Sequence, residues 1–347
     1  MSISAEQREL ATTVRAVLAK HGDSAAVRRG LAGERGYDEQ LWKLLCEQVG
    51  VAALAIPEKF GGIGAGLVES LLVVEELGRT LAAPPMLGSA VLGVQALLLA
   101  GNAEANERLL PEVAEGARTL SLCWAGRRGW DEFGVRVADG KLSGTAHYVL
   151  DGTYAETLLV LTAEGLFEVD GSAEGVVRTA LPTQDPTRRL AEISFDGVAA
   201  PRLGAVDIHR LREIAWATVA AEQVGAAEQC LDLTVEYSKS RVQFGRPIGS
   251  FQALKHRMAD MYVLVESARS IAHHVIAALA EGKAEAVDVA AARIYCSEAL
   301  GAVVSETVQM HGGIAITWEH DAQLFFKRAH GDAQLFGAPA RPLARPA

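Results

Sequence analysis

The residues Ser240–Gln252 read SRVQFGRPIGSFQ, and they gather two arginines, two phenylalanines, two glycines and a proline into one break between helix-like segments. Arg241 stands where a helix ends, and Pro247 prevents the helix from simply running on. A guanidinium there can grip a phosphate with two parallel hydrogen bonds. Phe244 and Phe251 offer ring faces to an adenine or similar flat ring, and Gln252 offers an amide. The same residues would also serve an ordinary helix–helix turn with a solvated arginine. A second stretch, Gln309–His320, reads QMHGGIAITWEH. Gly312-Gly313 lets backbone approach a ligand closely, and Gln309 presents an amide near a helix end. A tight helix-terminal turn explains the same pattern.

Other reactive side chains carry weaker signals. Cys46, Cys123, Cys230 and Cys296 lie far apart and form no CxxC pair, so they read as buried reduced thiols, and zinc has little support. His311, His320 and the pair His273-His274 read as packing or surface residues before metal ligands. The chain has 347 residues, 50% of them hydrophobic, with a net charge of −10. That charge argues against a broad nucleic-acid surface. The first residues mix charges and contain no apolar signal core. The apolar run Val91–Ala100 is too short to span a bilayer, so a soluble cytoplasmic protein is the expectation.

The elements that must position these residues divide the chain by texture. Residues 1–117 look helical: EQRELATTVRAVLAKHG is amphipathic and ends at Gly22, a plausible C-cap. Residues 118–206 alternate in period two, with a hairpin signal at Asp139-Gly140, a strand–turn–strand in ETLLVLTAEGLFEV and a further strand in LAEISFDGVAAP. Residues 207–335 return to helices. Val224, Ala227, Leu231 and Val235 form one apolar stripe, and Leu254, Met258, Met261 and Val265 form another. Residues 336–347 carry several prolines and read as an irregular tail. An α+β protein follows: a helical domain, a central β-barrel or sandwich, and a four-helix bundle.

The two opening motifs, in this order, resemble the acyl-CoA dehydrogenase family. LWKLLCEQVGVAALAIPEKFGGIGAG and VVEELGRTL are similar to its N-terminal helical domain, and EYSKSRVQFGRPIGSFQALKHRMADM is the most specific signature. The resemblance spans the whole chain. It implies FAD as cofactor and α,β-dehydrogenation of an acyl-CoA thioester, possible targets including bulky or steroid side-chain acyl groups. A carboxylate takes the α proton in such enzymes. It also implies cofactor-binding roles for Arg241, Phe244, Phe251, Gln252, Gln309, Gly312 and Gly313.

The chain departs from that family where chemistry is done. The usual base, a glutamate before a glycine, aligns with Phe336 before Gly337, and Ala338 follows where a flavin-binding threonine is usual. An alternative base position aligns with Ala215, and Trp216 stands where an arginine is common. The Thr-Glu-Pro stretch is replaced by LCWAGRRGW, and the Trp-Ile-Thr-Asn strand by HYVLDG, with Leu150 at the threonine. No catalytic residue is assigned. In the family, the arginine and Gln-Gly-Gly motifs reach the flavin of a neighbouring subunit. Their retention beside these losses implies a subunit of an α2β2 heterotetramer that completes the FAD site of a longer homologue. Two alternatives stay open: a self-sufficient homo-oligomer with a displaced base such as Glu222, for which Glu319 and His320 are further candidates, and a non-catalytic acyl-CoA or flavin scaffold.

Overall fold

The computed structural model describes residues 3–339. Six helices come first: α1 (Ala5–His21), α2 (Ser24–Ala32), α3 (Glu39–Val49), α4 (Leu67–Gly78), α5 (Val94–Ala100) and α6 (Ala103–Ala114). Their ends follow local rules. Ser4 and Gln7 cap α1 reciprocally, and the Gly22 N–H closes it on Leu18 O. Asp38 caps α3, and Gly50, at φ 72°, ends it in the left-handed region. The apolar run expected near Val91 is a wide-turned helix, Met86–Gly93, continuous with α5 and almost wholly buried.

Two four-stranded sheets then face each other. One has the order β1 (Leu120–Cys123), β6 (Thr157–Thr162), β7 (Gly165–Asp170), β10 (Arg202–Gly204); the other runs β4 (Val135–Ala138), β5 (Lys141–Leu150), β9 (Leu190–Val198), β8 (Val176–Ala180). Asp139-Gly140 joins β4 to β5 with both residues at positive φ, 52° and 74°, the conformation a two-residue hairpin requires. Leu158, Val160, Phe167, Ile193 and Phe195 fill the space between the sheets. Alternate residues of β6, Leu159 and Leu161, point the other way into the helices. That two-sided burial is why β6 reads as a continuous apolar run. A small hairpin, β2 (Ala125–Gly126) with β3 (Gly129–Phe133), leaves the first sheet's edge.

The rest is a bundle of α7 (Ile208–Ser240), α8 (Gln252–Ala280), α9 (Ala286–His311) and the shorter α10 (Ala322–Gln334). Between α7 and α8 sits a two-stranded ribbon, β11 (Val242–Gln243) and β12 (Arg246–Pro247). The middle of α7 is buried on every side from Ala217 to Ala227, as befits the central helix. It crosses α4 at two glycines. A Cβ on Gly78 would lie 2.2 Å from Glu222 O, and one on Gly225 would lie 1.8 Å from Glu75 O. By length and composition α8 could cross a membrane. Here Met261, Val265, Ala268 and Ala272 on its inner face join the bundle core. Of the expected tail, Phe336 is buried in that core beside Leu335, and residues 340–347 lie outside the described residues.

Candidate functional site

One end of the bundle presents the two motifs together. Tyr237, in the last turn of α7, stacks on His311, the last residue of α9, with ring centroids 4.3 Å apart. This pins the two helix ends side by side, so Arg241 and Gln309–Gly313 emerge at the same end. The Arg241 backbone N–H bonds Tyr237 O, and its carbonyl accepts from the Ile248 N–H. Its guanidinium is exposed and has no partner among the described residues, and the exposed Gln309 amide is likewise free among them. Phe244, at the tip of the ribbon, takes φ 54° and is 91% exposed. Phe251 meets it edge-on at 6.1 Å and carries Arg246 over its other side at 4.1 Å. Gln252 turns aside to His256, 3.0 Å away. A Cβ on Gly312 or Gly313 would touch nothing, so the backbone there is open to close approach. Ile314, Ile316 and Trp318 continue the exposed apolar surface.

The replaced segments converge elsewhere, and they meet as aromatic rings. Trp124 precedes β2, Trp130 lies on β3, Tyr148 on β5, and Phe336 follows α10. The Trp130 ring is 4.7 Å from Phe336, 5.7 Å from Trp124 at right angles, and 6.4 Å from Tyr148. Trp216 Nε1 donates to the carbonyls of both Phe336 and Gly337 at 3.1 Å. Phe336 itself is 3% exposed at φ 61°, followed by Gly337 at 75°. The position aligned with a base therefore keeps a strained turn and holds a packed hydrocarbon ring.

Glu222 sits in a buried ionic network that joins the β8–β9 loop to α7, α9 and α10. One carboxylate oxygen pairs with Arg188; the other accepts from Arg328 Nη1 at 2.8 Å. Arg328 also binds Asp185 at 2.7 Å and the Thr187 carbonyl at 3.0 Å. Arg188 reaches Asp332 at 3.0 Å, and Arg293 caps the Asp332 and Leu335 carbonyls. Burial pushes the Asp332 carboxyl up to about 7, with the neighbouring Glu222 charge adding to the rise. Burial works the same way on Asp185, but Arg328 and Thr187 hold it below the usual range. The space beside Glu222, walled by Val74, Leu77, Met86 and Leu150, is about 30 Å³, room for a water and not for an acyl chain. Held by two arginines with little open space beside it, this carboxylate is poorly placed to act as the displaced base.

Glu319 is exposed. His320 packs on His311 at 4.6 Å and accepts from the Ala322 N–H. His273 pairs with Glu75 at 2.7 Å. The four cysteines are buried thiols, and burial pushes Cys46 up to about 12. A wide cleft of about 1330 Å³ lies between the α2–α3 loop and the β domain. Two of its arginines are occupied by backbone: Arg178 binds the carbonyls of Gly171, Gly152 and Ala155, and Arg189 those of Leu31, Gly33 and Glu34.

Helices around a two-sheet β domain, with an arginine ribbon at the bundle end, define an acyl-CoA dehydrogenase fold. The chain matches the acyl-CoA dehydrogenase N-terminal domain over residues 4–117 and the C-terminal domain over residues 213–340, and it belongs to that family of FAD-binding oxidoreductases. It is 47% identical over 343 residues to acyl-CoA dehydrogenase IpdE2 of Mycolicibacterium smegmatis, covering 99% of this chain and 98% of that one. The ChsE4-ChsE5 complex from Mycobacterium tuberculosis is similar in structure, with TM-score 0.89, 30% identity and 97% and 94% of the two chains covered. The Tcur3481-Tcur3483 steroid ACAD is similar at TM-score 0.88, 30% identity and 96% and 94% coverage.

These residues fit the family's FAD on one side only. The bundle end offers a free guanidinium, a free amide, exposed rings and open glycine backbone. On the inner face the Trp130 ring packs against Trp124, Tyr148 and Phe336. The sequence marked the inner segments as altered but gave no sign that their rings meet. It also missed Arg188, Arg328 and Asp332, although the charge-rich PTRRL and FKRAHGD segments were the available signal.

Proposed function

We propose that this chain is one subunit of an α2β2 acyl-CoA dehydrogenase, paired with a longer homologue whose FAD site it completes. The observation that carries the proposal is the contrast between the open, unpartnered bundle end and the filled inner face. FAD, when bound in the complex, accepts the hydride leaving the substrate's β carbon. Arg241 binds phosphate, since its guanidinium is free and charge-assisted contacts of this kind are strong. Phe244 and Phe251 cover a ring, and Gln309 with the Gly312-Gly313 backbone supplies hydrogen bonds at close range. The carboxylate that takes the α proton comes from the partner, because Phe336 and Ala215 hold none. The steroid ACAD among the similar structures makes a bulky, steroid-derived acyl-CoA our choice of substrate class.

The test is co-expression with a homologue that keeps the glutamate. The isolated chain should be colourless and inactive on any acyl-CoA, and the complex should carry one flavin per pair of unlike chains. Full flavin occupancy or robust turnover by the isolated chain would sink the proposal.

A further inference from the structure

We infer that the β2–β3 hairpin is a built-in occupant of this chain's own flavin position, and that Trp130 stands there in place of a flat aromatic ligand. The inference deepens the reading above, since it explains why one site per pair would be lost. Within residues 127–133, Trp130 is the side chain that joins the helical cores. It packs against the N-terminal and bundle clusters at once, while Phe133 on the same strand points to solvent. Three rings from three different segments surround it: Trp124, Tyr148 and Phe336.

The hairpin is built to hold that ring in place. Arg212, in the first turns of α7, donates to the Trp130 carbonyl at 2.6 Å and to Asp131 at 2.7 Å. The same guanidinium lies 5.3 Å over the Trp124 ring. At the outer end, Arg128 binds Glu132 through its side chain and its backbone N–H. Gly129, at φ 126°, supplies the turn that aims Trp130 inward. An anchored strap delivering one large ring into a pocket of three others is what a ligand-sized hole needs to be filled without collapsing its walls. Removing the indole should therefore leave a cleft with stacking walls, suited to an isoalloxazine ring and lacking any grip for the adenosine end.

The probe is lumiflavin, which is the isoalloxazine without its phosphate tail, titrated into the purified full-length chain and read by flavin fluorescence. Wild type should not quench it saturably. Trp130→Gly should, at least roughly tenfold more tightly than any wild-type signal, as expected of two or more ring contacts. Trp130→Phe should stay closed. Arg212→Gln releases the strap and keeps the indole; it should quench weakly and become open to trypsin at Arg127 and Arg128. Wild type quenching as well as Trp130→Gly overturns the inference. So does a folded Trp130→Gly that binds nothing. If Trp130→Gly fails to fold, Arg212→Gln decides: trypsin-sensitive but non-quenching protein overturns the inference. Arg241→Ala should leave every lumiflavin result unchanged, so failure here and failure of the partner-site proposal are told apart.

Discussion

Phe244 and Phe336 both adopt left-handed backbone, at φ 54° and 61°, yet one is 91% exposed and the other 3%. Such a conformation costs a non-glycine residue about 1–3 kcal/mol and persists only where surroundings enforce it. At Phe336 the enforcement is visible: Trp216 holds both carbonyls of the turn, and Trp130 covers the ring. At Phe244 it is the short ribbon β11–β12, with Phe251 meeting the ring edge-on. The inner turn is satisfied within the chain. The outer turn leaves its side chains exposed, and the proposed docking of a flavin and partner there would give that exposure a use. The turn at Phe336 is closed by neighbouring rings and carbonyl contacts, while the turn at Phe244 stays open.

The contrast can be broken most forcefully from the closed side. Glu222→Gln strips two buried arginines of their shared carboxylate, and removal of one member of a buried ion group costs about 3–5 kcal/mol. Denaturant titration of the full chain should show that loss, and an unchanged midpoint would mean the network holds nothing. On the open side, Arg241→Ala should leave the same midpoint in place. Flavin absorbance of the complex after gel filtration should fall, because a charge-assisted contact is worth about 1.5–3 kcal/mol, roughly ten- to a hundred-fold in affinity. Arg241→Lys keeps the charge without the fork and should recover part of it. Unaltered flavin retention in Arg241→Ala would erase the distinction between the two regions.

A subtler effect concerns pH. Asp332 is raised from 3.8 to about 7, so over that range the unfolded chain ionises while the folded one does not. Native stability from this group is unaffected below the lower value, is lost as pH rises between the two, and is fully lost above about 7. Asp332→Asn cannot ionise. Melting temperatures taken across that range should show the variant gaining on wild type with rising pH and then levelling off; a constant difference would refute the assignment. Smallest of all, Phe244→Ser should shift the isolated chain's stability by no more than about 0.5 kcal/mol, while weakening co-purification with the partner.

What the sequence displayed was local. Asp139-Gly140 announced its hairpin, Gly22 its helix end, and the α7 stripe its bundle, because each signal lies within a few residues of its effect. The break between α7 and α8 at Arg241 was legible for the same reason, though not its form as a two-stranded ribbon. Glu222 was not: nothing near it in sequence reveals that Arg188, 34 positions away, and Arg328, 106 positions away, would take both its oxygens. Trp130 shows the limit from the other direction. Its segment was visibly altered, but only folding brings it against Phe336 and turns an apparent loss of contacts into a filled pocket.

The crossing of α4 and α7 at Gly78 and Gly225 sets a constraint on how this chain can be cut or recombined. Backbone there meets backbone, with no side chain between the helices to be traded for another. A fragment ending before Ile208 would bare that groove along with the apolar face around it, and a graft of a foreign bundle would need glycine in register at the same site. A chimaera of two such subunits should therefore express only when glycine stands at both crossing positions of α4 and α7.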